Sequence, residues 1–193
     1  IDDSTQANIA GVVQAMNGLS EVLSSEVAKK STMNWPFITL SSFEVFVQHT
    51  RAQASAELLV VCPIVQHSEL RAWNTFSASN QDWIQEGFEV KQVNRTDLNP
   101  IPTSVYRFGR FKGRDVLRSE DGTDSLPSAP FWQMSPPPFD TSIVNYNALS
   151  VEEYRQNFQT MNKTRWAVIG RAQKNLLIDY AISQSDHDLL HGD

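Results

Sequence analysis

The sequence predicts an α+β fold in which a long N-terminal helix and a helical layer pack on a small antiparallel sheet. Three observations lead there. Apolar residues recur at helical spacing through most of the first ninety residues. From about residue 88 to 140 that spacing gives way to short β-rich pieces separated by Pro, Gly and Asp. Helical spacing then resumes near residue 150. With 193 residues and 40% apolar content, the chain is long enough to bury one core of ordinary size.

The first element carries Ile9, Val12, Met16, Leu19 and Leu23 along one narrow stripe, with Val13 and Val27 widening it. A stripe of this 3-4 spacing serves equally as a self-associating, signal-coupling stalk or as a helix packed inside its own domain. Residues 1–33 are therefore set apart as a stalk-like helix and 34–193 as the domain proper. After the break at "MNWPF", Ser41 and Glu44 have the spacing of a capping box, predicting a helix that runs to Pro63. Ser68 and Gly87 frame a third helix, with Leu70, Trp73, Phe76, Trp83, Ile84 and Phe88 on its apolar side.

Three pieces, "FEVKQV", "TSVYRFGRF" and "PFWQMS", have strand composition. The interval "KGRDVLRSEDGTDSLPSAP" is polar and rich in turn residues, the pattern of an exposed connection. A second capping box, Ser150 and Glu153, opens a helix with Val151, Tyr154, Phe158 and Met161 on one face. A final helix is expected over 165–183.

Composition narrows the function classes. Sixteen Lys and Arg against 22 Asp and Glu leave a formal charge of −6, which opposes a general attraction to nucleic acid or anionic membranes. The basic-aromatic run "YRFGRFKGRDVLR" has the make-up of a single-strand-binding platform, but Asp115, Glu120, Asp121 and Asp124 adjoin it. A hairpin edge guarded by charge is the simpler reading. The lone Cys62 lies in "LLVVCPIV" and permits neither an intrachain disulfide nor a thiolate cluster.

His187 and His191 have zinc-peptidase spacing, yet Asp188 stands where that motif has a longer Glu and no third ligand follows. There is no nucleophile elbow, phosphate loop or dinucleotide fingerprint. The sequence thus predicts no catalytic site, no metal and no cofactor. Asn94 and Asn162 head N-x-Thr acceptor patterns, which an extracellular chain would have modified and which chance also produces. No run reaches the roughly 18 apolar residues of a membrane span.

The segments "NWPFITLSSFEVFV", "LLVVCPIVQHSELRAWNTFSASNQDWIQEGF", "IPTSVYRF" and "PFWQMSPPPFD" resemble the extracellular input region of receptor-type class III nucleotide cyclases of unicellular algae. The likeness runs from about Asn34 to Tyr180, and the order of elements also resembles CHASE and Cache sensor modules. It implies a PAS-like sheet outside the plasma membrane, flanked by spans and ending here before its closing strands. A cytoplasmic guanylate or adenylate cyclase would be regulated by an unknown small molecule or peptide, with a homodimer formed through the N-terminal helix. A sensor attached to another output, such as a histidine kinase, or a freestanding soluble ligand-binding protein are the alternatives. The resemblance fixes no ligand residues. Composition suggests a pocket from Trp83, Tyr106, Arg107, Trp132 and Gln133, because ligand sites combine apolar walls with a few polar groups. Each of these has a competing reading as core.

Overall fold

A computed structural model describes residues 3–29, 35–111, 114–119 and 126–164. The predicted helix over 165–183 and the His187/His191 pair lie outside the described residues. The helices are α1 (Asp3–Lys29), α2 (Phe43–Gln53), α3 (Leu70–Ser79), α4 (Asp82–Val90) and α5 (Glu152–Thr164). The strands are β1 (Leu59–Val61), β2 (Tyr106–Phe111), β3 (Arg114–Ser119) and β4 (Gln133–Ser135). The architecture is mixed helix and small antiparallel sheet.

β1 pairs antiparallel with β4 in the register Val60↔Met134, and β2 with β3 in the register Phe108↔Leu117. Irregular backbone bonding joins these two ladders. Residues 128–132 prolong β4 and bond to residues 145–148, through Phe131 N–H to Tyr146 O (2.8 Å) and Ala148 N–H to Ala129 O (2.9 Å). Residues 145–147 in turn flank Tyr106 in a parallel bridge, with Tyr106 N–H donating to Asn145 O and Asn147 N–H to Tyr106 O. Pro127, Pro130 and Pro136 lack the N–H that regular pairing needs, which keeps this middle stretch short and bent.

Several helix boundaries differ from the sequence expectation. The helix begun near Ser41 ends at Gln53, and its predicted last turn is strand β1. Ser55, at φ 48°, turns the chain there, and the β-branched run that follows favours a pleated strand. Ser42, not Ser41, precedes α2, without a side-chain cap, and its N–H donates to Glu86 Oε2 at 2.8 Å. Glu44 is buried and faces Lys91 Nζ at 3.1 Å instead of closing a capping box.

The predicted 68–87 helix is two helices, broken at Asn80, whose side-chain N–H donates to Phe76 O (2.8 Å) and satisfies a terminal carbonyl of α3. Gly87 does not stop α4. It sits inside the helix where the backbone crosses Pro137, and an added Cβ would lie 3.1 Å from Pro137 Cβ. The stretch "FEVKQV" is therefore the end of α4 and a turn through Gln92 (φ 58°), not a strand. The predicted exposed connection contains β3. Ser150 closes a 3-10 turn over Ala148–Ser150, its hydroxyl directed back to Asn147 O at 2.7 Å.

The main core gathers Trp73, Trp83, Phe88, Val105, Phe131, Trp132, Met134 and Val144 around the sheet. Trp132 is its centre, with its ring centroid 5.3 Å from Trp73 and 5.9 Å from Trp83 in edge-on arrangements. Leu19 of α1 joins Leu40, Phe43 and Val47 in a satellite cluster, with Leu23, Leu59 and Val61 against it.

Candidate functional site

The polar side-chain groups of Gln133, Trp132 and Asn145 are hydrogen-bonded to the fold itself. Gln133, fully buried, accepts from Leu40 N–H through Oε1 and donates to Leu40 O through Nε2, both at 2.8 Å. Its amide thus takes the place of a neighbouring strand for residue 40. Trp132 Nε1 donates to Ile38 O at 2.8 Å. Asn145, in left-handed backbone at φ 67°, accepts from Trp73 Nε1 (3.1 Å) and donates to Pro102 O (2.8 Å) and Ser77 Oγ (3.1 Å). The large majority of buried polar groups in folded proteins are satisfied in this way.

Tyr106 donates to Ser142 O at 2.5 Å, and its phenol is held above the usual range by burial first, then by Tyr146 and Asp140 nearby. Of the five residues suggested as a pocket, Trp83, Tyr106, Trp132 and Gln133 are buried in the body of the fold. Arg107 lines an open recess.

That recess, about 180 Å³, lies between the start of β2, residues 126–128, the 147–150 turn and α5. Asn147 organises its floor. Its Oδ1 accepts from Ala129 N–H (2.9 Å) and Leu149 N–H (3.0 Å), while its Nδ2 reaches Ser128 Oγ at 3.4 Å. Ser150 Oγ also reaches the Tyr146 hydroxyl at 3.3 Å, so the turn is braced from two sides. On the other wall α5 presents Arg155, Phe158 and Gln159, an i, i+3, i+4 set that a helix places on one face. Leu126, Pro127 and Leu149 supply apolar surface.

Arg155 is paired with Glu152, whose side chain is 54% exposed. A pair so open to solvent contributes about 0–1 kcal/mol. No carboxylate is among the described residues lining the recess, although the whole chain carries a charge of −6.

Asn147, Ser150, Arg155 and Phe158 were not among the expected site residues. The spacing from Arg155 to Gln159 was readable in the sequence, but nothing there shows that the 147–150 turn and β2 meet α5. A second recess, mainly apolar and about 360 Å³, lies between α1 and α2 beside Val22, Leu23, Phe43 and Phe46.

Along the predicted coupling stripe, Leu19 is buried, Val12 and Leu23 are half-buried, and Ile9 and Met16 are exposed. The face is thus divided between intradomain packing and solvent. Asn94 and Asn162 are both exposed. Cys62 is half-buried against the edge of the main core, and desolvation there pushes its thiol up to about 12. Among the described residues no group of three His, Cys, Asp or Glu is placed to hold a metal, and no helix is long and apolar enough to cross a membrane. No family of known proteins, no curated protein and no solved structure matches the chain.

Proposed function

We propose that this chain is the extracellular sensing region of a plasma-membrane receptor whose cytoplasmic part is a class III nucleotide cyclase making cyclic GMP or cyclic AMP. The resemblance of "NWPFITLSSFEVFV" and "PFWQMSPPPFD" to such receptors supplies the class of protein. One structural observation supports the sensing role: a recess of ligand scale and a long helix are attached to opposite ends of one continuous bonded layer. From the recess, Asn147 bonds to Ala129. Residues 129–132 run on into β4, and Gln133 of β4 clamps Leu40, against which Leu19 of α1 packs.

Binding that shifts the 147–150 turn would bias the seating of α1, provided the layer has two packed arrangements of unequal ligand affinity. In this reading the sheet with its flanking segment 145–148 fills the role of a PAS-like sensor sheet. Exposed Ile9, Met16 and Val22 would meet the same helix of a second copy.

The test is the sequence of the full transcript on both sides of residues 1 and 193. A membrane span upstream, and downstream a span followed by a cyclase domain with its metal-binding aspartates, is the expected result. A stop directly after Asp193 with no upstream span would overturn the receptor reading.

A further inference from the structure

We infer that Asn94 carries an N-linked glycan and that Asn162, which heads the same Asn-x-Thr pattern, does not. The inference rests on the extracellular reading, because only an exported chain meets a glycosyl donor. The chemistry is a group transfer from an oligosaccharide carried on a lipid diphosphate. The Asn94 side-chain nitrogen bonds to C1 of the sugar, the C1–O bond to the diphosphate breaks, and the lipid diphosphate leaves; the nitrogen gives one proton to a base of the transferring enzyme. The pattern pairs that amide with a hydroxyl two residues on, so a usable acceptor presents both on one accessible face.

The loop after α4 meets this requirement. From Val93 to Thr96 the residues alternate half-buried, exposed, half-buried, exposed, which sets 94 and 96 together on the outer side as period-two backbone does. The inward residues are held. Val93 packs against the main core, and its N–H donates to Phe88 O at 3.0 Å. Arg95 lies over the Phe139 ring, 4.7 Å from Cζ to the centroid, with its Nε 3.5 Å from Asp97 Oδ1. Anchoring these two turns the Asn94 amide and the Thr96 hydroxyl to solvent, and neither has a hydrogen-bond partner among the described residues. Residues 94–99 belong to no helix or strand, so an enzyme can reshape this backbone without breaking a regular element. At Asn162 the same tripeptide lies in the last turn of α5. A helix turns residues two apart by about 200° around its axis, so Asn162 and Thr164 face different ways. The Thr164 hydroxyl is also engaged, donating to Thr160 O at 2.8 Å. Presenting both groups there requires unwinding that turn.

The experiment expresses the chain in eukaryotic cells behind a cleavable secretion signal, with an added Asn-Gly-Thr in a linker ahead of Ile1 to show that it met the transferase. Gel mobility is compared before and after treatment with a glycan-removing amidase. Treatment of the wild type is expected to remove the linker's glycan and one more. Asn94→Gln and Thr96→Ala should each lose that further shift, whereas Asn162→Gln and Thr96→Ser, which keeps the hydroxyl, should retain it. Asn94→Gln should leave the urea midpoint of the unglycosylated chain unchanged, which separates loss of the acceptor from loss of the fold. The linker's glycan alone on the wild type, a further shift that survives Asn94→Gln, or one lost in Asn162→Gln would each overturn the inference. Such a failure leaves the receptor reading to be judged by the transcript. A glycan at Asn94 in a chain whose transcript lacks a span and a cyclase would uphold the acceptor and sink the receptor.

Discussion

Replacing Gln133 by leucine should destabilise the fold by about 3 kcal/mol without altering the recess at α5. The substitution keeps the side-chain size but removes both partners of Leu40, leaving a buried N–H and a buried C=O unpaired. Each unpaired group costs roughly 1–3 kcal/mol, and better burial of the leucine returns about 1–2 kcal/mol. With a urea slope of roughly 2 kcal/mol per molar, the midpoint should fall by about 1.5 M. Gln133→Glu sharpens the test. Protonated, its carboxyl has one donor and one acceptor and can replace the amide; ionised, it is a buried charge without a donor for Leu40 O. Its folded pKa is therefore raised, so its stability is retained below the unfolded value near 4.3 and lost as pH rises through the folded value. Urea unfolding at pH 4.5 and pH 7 reads this directly. A Gln133→Leu midpoint within about 0.3 M of wild type, or a Gln133→Glu deficit equal at the two pH values, would refute the clamp.

Other consequences follow from single contacts. Trp73→Phe should cost roughly 1–3 kcal/mol more than Trp83→Phe by chemical denaturation, because Trp73 Nε1 bonds Asn145 whereas Trp83 Nε1 has no partner among the described residues. Asp140 caps the turn at Thr141–Ile143; burial raises its pKa, but hydrogen bonds from the side chains of Ser142 and Asn99 and from Ser142 N–H outweigh this and lower it. Asp140→Ala should therefore cost about 1 kcal/mol at pH 7, a deficit that shrinks as pH falls below about 3.9 and through the lowered folded value. Cys62 should resist a thiol reagent at pH 8 until the chain unfolds. Its raised pKa adds stability that is complete below the unfolded value near 8.5 and lost as pH climbs towards 12, which alkaline unfolding of Cys62→Ala against wild type would show.

Much of the fold was readable because local chemistry and tertiary packing agree. The apolar spacing of Leu70, Trp73, Ile84 and Phe88 marks their buried faces, and the alternation around Tyr106 marks a strand. The boundaries were less legible because they are decided by distant partners. Glu44 has the spacing of a capping residue, yet Lys91 holds it; Gly87 looks like a helix stop, yet it marks a close crossing with Pro137. Gln133 illustrates the same limit at the site. A lone amide in an apolar strand suggested a ligand, and the backbone of a residue 93 positions away satisfies it. Arg107 was identified by type alone, whereas Arg155 becomes its neighbour in the recess only when residues 145–148 bond beside β2.

The central claim is that the sheet couples a ligand recess to α1 and through it to an output. The most direct measurement is cyclic-nucleotide synthesis in membranes containing the protein of the full transcript, wild type against Leu19→Asp, which removes the buried contact of α1 with Leu40, Phe43 and Val47. The account predicts that the variant, at equal surface expression, differs in output by about fivefold or more and no longer responds to occupants of the recess. Equal output and an undiminished response would contradict it.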